Sequence, residues 1–163
     1  MPVNAILLPG EHDRGELVSA MAGCGIRFVD IDLPLAHPAP FATRVCAAIG
    51  AARPASPVVI VAPPASAPHL PAIALAQRSA HRRVTGYVIL EPGLIQTGSI
   101  PTGVDWPDAP VACLSMGVTE PAWVSLRGWQ GLLIDSWAQA AAVIAAWEDG
   151  TSFPSANAID QFR

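Results

Sequence analysis

Residues 58–73 read V-V-I-V-A-P-P-A-S-A-P-H-L-P-A-I. The run Pro57–Val61 has the length and β-branched composition of a strand, and its apolar residues do not alternate with polar ones. That is the pattern of a strand buried on both faces. Pro63 and Pro64 interrupt it, and a helical pattern follows from about Pro71 to Arg82. Pro71 suits a first helical turn, where its missing N–H is no loss. Strand, tight turn and helix in this order predict a parallel sheet with crossover helices.

The same alternation extends in both directions. Asn4–Leu8 reads as a strand closed by Pro9-Gly10, and Glu16–Ala22 as a helix stopped by Gly23 and Gly25. Ile26–Leu33 is the second strand, and Phe41–Ala52 a helix between proline breaks. Thr85–Leu90, Pro110–Ser115 and Gly131–Ile134 are further strands. A long loop spans 92–109, a short helix is expected over Pro121–Leu126, and a last helix over Ala138–Trp147. The pattern predicts an α/β fold: a three-layer α/β/α sandwich with a mostly parallel six-stranded sheet. One domain is expected over 1–150, followed by a polar tail, 151–163.

The chain has 163 residues, of which 52% are hydrophobic and 13% charged, against about 25% charged in an average domain. It can fill a core but has little charge to cover a surface. A subunit interface or an apolar small-molecule ligand fits that composition, and a homodimer or other homo-oligomer is expected. All nine basic residues are arginine and the net charge is −4, which argues against a nucleic-acid partner. No apolar run reaches the roughly 18 residues of a spanning helix, and Met1–Asn4 lacks the basic start of a signal peptide. Cys24, Cys46 and Cys113 are odd in number and far apart. They read as reduced core thiols of a cytoplasmic protein.

Several stretches together resemble the α/β-hydrolase family. In that family the strand–turn–helix reads G-H-S-x-x-G, with the nucleophilic serine on a strained turn; here the slots hold Ala62, Pro63, Pro64, Ala65, Ser66 and Ala67. Ala5–Gly10 is similar to the strand ending in His-Gly, and F-V-D-I-D-L-P (28–34) to the strand ending D-L-P. V-T-G-Y-V-I-L-E-P-G (84–93) is similar to the strand after the elbow helix, and 106–121 to the strand and loop carrying the acid, whose slot is Glu120. The resemblance implies a minimal hydrolase core, without the cap or the first two strands, in the order 2-1-3-4-5-6. It also implies the loss of two triad members. Pro64 stands in the serine slot and cannot take the elbow's usual positive φ, and Asp135-Ser136-Trp137 replaces the histidine loop. Hydrolysis by the family mechanism is therefore not expected.

Chemistry in such folds gathers at the carboxyl ends of the strands. His12, on the loop after the first strand, is the candidate acid or base, with Glu120 as the inherited acid; some lyases that share the hydrolase fold use a histidine there. The plainer alternative is a solvated histidine in the charged turn Glu11-His12-Asp13-Arg14. Pro9, Gly10, Pro64, Ala65, Ser66, Glu91, Trp106, Trp123 and Trp137 are the candidate binding residues. Ser66 and His69 read either as a displaced Ser–His pair or as a helix cap beside a surface histidine. Glu91 reads as a strand-end carboxylate and Glu120 alternatively as a cap, while Trp129 suits a subunit contact. Residues 10–15, G-E-H-D-R-G, resemble the cobalamin turn D-x-H-x-x-G, but Gly10 occupies the Asp slot. They also have a phosphate-loop frame, but Glu16 replaces its lysine. Neither these nor any metal-ligand spacing leads to an expected cofactor.

The reading is a non-hydrolytic hydrolase-like protein, binding a small molecule or serving as an accessory in a specialised bacterial biosynthetic pathway. The alternatives are a lyase, isomerase or cyclase using His12 and Glu120, and a structural partner subunit.

Overall fold

The structure, a computed structural model, describes residues 2–10, 13–101, 103, 105–117 and 119–147. His12 and the tail 151–163 lie outside the described residues. The strands are β1 (Asn4–Leu7), β2 (Arg27–Asp30), β3 (Val58–Ala62), β4 (Val84–Leu90), β5 (Val111–Met116) and β6 (Gln130–Ile134). The helices are α1 (Arg14–Gly23), α2 (Phe41–Ala52), α3 (Leu70–Ser79), α4 (Ala122–Leu126) and α5 (Trp137–Ala145). Every pairing is parallel, in the order β2-β1-β3-β4-β5-β6.

That order follows from one reversal of direction. The chain steps outward from β1 to β2, then returns past β1 to β3 and continues one way to β6. Right-handed crossovers put the helices of opposite steps on opposite faces. So α1 packs with α5 on one face, through Leu17, Met21, Ala140 and Ile144. On the other face α2 and α3 pack through Val45, Ile49, Leu70 and Ile73. β3 is buried throughout, as its unbroken apolar run requires, whereas the edge strands β2 and β6 are partly exposed.

The ends of three elements differ from the sequence expectation. β2 stops at Asp30 instead of Leu33, because the chain turns away to form the wall of a cavity. α3 begins at Leu70 after a 3₁₀ turn, Ala67–His69. It stops at Ser79: His81 takes a left-handed φ of 55° and Arg82 N–H donates to Gln77 O. This Schellman closure satisfies carbonyls that three more helical residues would otherwise have used. The expected loop 92–109 contains a 3₁₀ turn, Pro92–Leu94, and is anchored rather than loose. Ile95, Ile100 and Trp106 enter the core and cover β4 and β5 where a crossover helix would lie.

The cysteines do not form one buried set. Cys24 is exposed, Cys46 intermediate and Cys113 buried, and all three are free. Burial pushes the Cys46 thiol up. Burial, and then the charge of Glu120, push Cys113 up to about 12. Iodoacetamide at pH 8 is therefore expected to alkylate Cys24 first and Cys46 slowly, with Cys113 reacting only after unfolding. Peptide mapping of the native protein checks this, and rapid labelling of Cys113 would contradict its placement.

Candidate functional site

The reversal of direction after β2 makes the gap between β1 and β3 the topological switch point, where open α/β sheets form their crevice. Here that gap is closed. Gly10 lies so near the Pro63 ring that an added Cβ would come within 2.7 Å of Pro63 Cγ. Ser66 is fully buried, and its hydroxyl donates to the carbonyl of Pro9. The Ser66 side chain does not cap a helix, contrary to one expectation. Nor is it aimed at His69, whose ring rests on Phe41 at a centroid distance of 4.7 Å and whose pKa is lowered by burial. Pro64 is half-buried and Ala65 exposed on the same turn. Ser66→Ala should cost about 1–2 kcal/mol, the penalty of leaving a buried carbonyl without its donor. Urea unfolding measures it, and a neutral substitution would mean that the Pro9 carbonyl finds water.

The other candidate residues are dispersed. Glu91 ends β4 in a left-handed conformation, φ 47° and ψ 58°. Its amide donates to Leu114 O and its carboxylate accepts from Met116 N–H, both at 2.8 Å. It therefore braces β4 against β5. The Glu120 carboxyl group rests on Gly131 of β6, where any Cβ would collide with it. Four strand spacings separate β1 from β6, about 19 Å at 4.8 Å each. Glu120 thus stands far along the sheet from Gly10.

The tryptophans also divide. Trp106 meets Tyr87 at 5.4 Å and Trp129 at 5.6 Å, and Trp129 meets Trp123 at 6.0 Å. Arg127 lies over Trp129 and Trp123, at 4.9 and 5.6 Å. This stack pins the 92–109 loop and α4 to the sheet. Trp137 packs on the opposite face, where its indole N–H donates to Asp13 at 3.3 Å. The three candidate tryptophans do not line one pocket. Tyr87, not singled out from the sequence, donates to Asp108 at 2.6 Å, and Asp108 pairs with Arg78 at 3.3 Å. Burial raises the Tyr87 pKa first, and Asp108 raises it further. Its signal was the lone phenol in an apolar strand.

A cavity does open at the carboxyl ends of β1 and β2. It measures about 530 Å³ and is lined by Gly10, Arg14, Asp32, Leu33, Pro34 and Leu35. Arg14, the first residue of α1, forms its floor. Its Nη1 donates to Leu8 O at 2.8 Å, and its Nη2 to Ile31 O at 3.0 Å and to the Asp30 carboxylate. Nε is buried with no hydrogen-bond partner among the described residues and lies 3.9 Å from the Asp32 carboxylate. The facing wall, Leu33–Leu35, is fixed by Arg44, which donates to Pro34 O at 2.8 Å and Ala39 O at 3.3 Å. One side of the cavity therefore presents charge and the other apolar surface. The sequence signal for it was Arg14 directly after the first turn, with D-I-D ending the second strand.

A second cavity of about 320 Å³ sits at the opposite ends of the strands, bounded by Asn4, Pro57, Arg83, Thr85 and Trp147. Ligands of open α/β sheets bind at the carboxyl ends, so the first cavity is the candidate site. Among the described residues, no group of three or more His, Cys, Asp or Glu side chains converges to hold a metal. No helix among them is long and apolar enough to cross a membrane. No protein-family model matches the chain, and no curated protein or solved structure is significantly similar to it. What fold and site define together is an α/β protein with a closed switch point and an open neighbouring cavity.

Proposed function

We propose that this chain is a non-hydrolytic small-molecule-binding protein, derived from an α/β-hydrolase core, whose ligand enters the cavity between the loops after β1 and β2. The observation that carries the reading is the contrast between two adjacent places. At the switch point, Gly10 against Pro63 and the tethered Ser66 leave no room for a substrate and no free nucleophile. Beside it, Arg14 Nε–H has no acceptor among the described residues and Asp32 stands open to solvent. The strand order is the one such a core would have, and other doubly wound parallel sheets share it.

The ligand that suits this lining is small and amphipathic. It carries an acceptor for Arg14 Nε, a hydroxyl or amine for Asp32, and an apolar part against Leu33–Leu35. Saturation-transfer NMR with a panel of short-chain amino alcohols and hydroxy amides tests the site. Binding is expected for members with both a polar head and an apolar tail. Asp32→Ala, at a largely exposed side chain, should abolish that binding and leave the thermal midpoint unchanged. Equal binding to wild type and variant, or none to either, would refute the assignment.

The same reading requires that nitrophenyl acyl esters are not turned over, by wild type or by Pro64→Ser. A serine at 64 alone would lack a base, since His69 faces Phe41. Turnover that survives purification and is lost on labelling of a serine would overturn it.

A further inference from the structure

We infer that β6 is the contact between two copies of this chain, joined antiparallel about Leu132. The carbonyl of Ile134 accepts from Gly117 N–H at 2.9 Å, so the backbone groups of Ile134 turn inward to β5. In a parallel ladder successive residues alternate in this respect. Leu133 and Gly131 therefore turn their N–H and C=O groups outward, where no strand among the described residues pairs with them. The outward row ends there, because the next outward amide, that of Asp135, already donates to Gln139 Oε1 at 2.6 Å. A two-fold axis at Leu132 sets Gly131 opposite Leu133 of the second copy, and Leu133 opposite its Gly131. Each such pair exchanges two bonds, so every outward group finds a partner.

The two edges of the sheet are unlike. β2 carries Arg27 and Asp30 at its ends, charges that discourage strand addition. β6, Gln130–Ile134, has no charge and no proline, and its register with β5 has no bulge. Leu133 is 59% exposed, whereas Leu126, 85% exposed, belongs to α4 and not to the edge strand. Joining two β6 strands covers both unprotected edges and leaves the two charged β2 edges outside. The assembly thus stops at two copies instead of growing into a fibre.

Sedimentation equilibrium at tens of micromolar is expected to give twice the chain mass. Leu133→Lys should give the single-chain mass with unchanged circular dichroism, whereas Leu126→Asp should remain a dimer. Hydrogen exchange of the wild type gives an independent reading: the Gly131 and Leu133 amides should slow as concentration rises, while the outward Phe28 and Asp30 amides of β2 should not. A single-chain mass for wild type overturns the inference. So does a dimer that survives Leu133→Lys, one lost only in Leu126→Asp, or Gly131 and Leu133 exchange that is independent of concentration.

Discussion

Arg14→Leu is expected to destabilise the fold by about 2–3 kcal/mol and to remove the cavity at the ends of β1 and β2 with it. Among the described residues, Arg14 alone has a side chain that donates to both the Leu8 and Ile31 carbonyls, just past the ends of β1 and β2. Leucine fills similar volume but donates nothing, so two carbonyls and the Asp30 carboxylate lose a charged donor together. A hydrogen bond to a charged group contributes about 1.5–3 kcal/mol, and a buried acceptor left alone costs more than the bond was worth. Asp30 is 38% exposed, so water recovers part of its loss, which keeps the figure below the roughly 3–5 kcal/mol of a fully buried broken pair. Arg14→Lys should restore little, because one ammonium cannot span acceptors that a guanidinium fork reaches at once. Chemical denaturation of the two variants checks this. A cost under half a kcal/mol for either would show that the β1 and β2 ends hold without Arg14.

Gly86→Ala is expected to cost about 3 kcal/mol or more. Gly86 lies in β4, near the middle of the sheet, and the Trp147 indole covers it so closely that an alanine Cβ would fall 2.6 Å from Nε1 and nearer still to the ring carbons. The ring has little freedom to withdraw. Trp147 is 6% exposed and its Nε1 donates to Thr85 O at 3.2 Å. Overpacking a well-filled core costs about 1–3 kcal/mol, and the upper end applies where neither neighbour can yield. In a Trp147→Leu background the same substitution should cost much less, since the smaller side chain leaves room for the methyl group. Equal costs in the two backgrounds would show that the strain lies in β4 itself and not in the Trp147 contact.

The element sequence was legible because each strand covered on both faces must be apolar throughout. β3 carries that pattern without interruption, and β4 carries it from Tyr87 to Leu90. The order 2-1-3-4-5-6, implied by the resemblance, is also the order of the sheet. Helix ends were less legible. α3 closes at Ser79 through His81, a non-glycine residue in a left-handed conformation, and no residue-type rule announces that. The site was least legible. Ser66 reads in the sequence as a cap or a nucleophile, but its hydroxyl reaches Pro9, 57 residues away in the chain. Glu120 follows β5, but its carboxyl group folds back over Gly131.

Alone, the sequence determined the α/β class, the parallel sheet, and the proline pair that follows the third strand. Those properties depend on residue identity and local periodicity, which a one-dimensional chain records in full. Tertiary structure decided which gap between strands is open. Closing the β1–β3 crevice needs Gly10 and Pro63 in contact, and opening the β1–β2 cavity needs Arg14 drawn under β2 by the Leu8, Ile31 and Asp30 oxygens. These contacts join different elements of the chain, and their directions are set by how the strands lie beside one another.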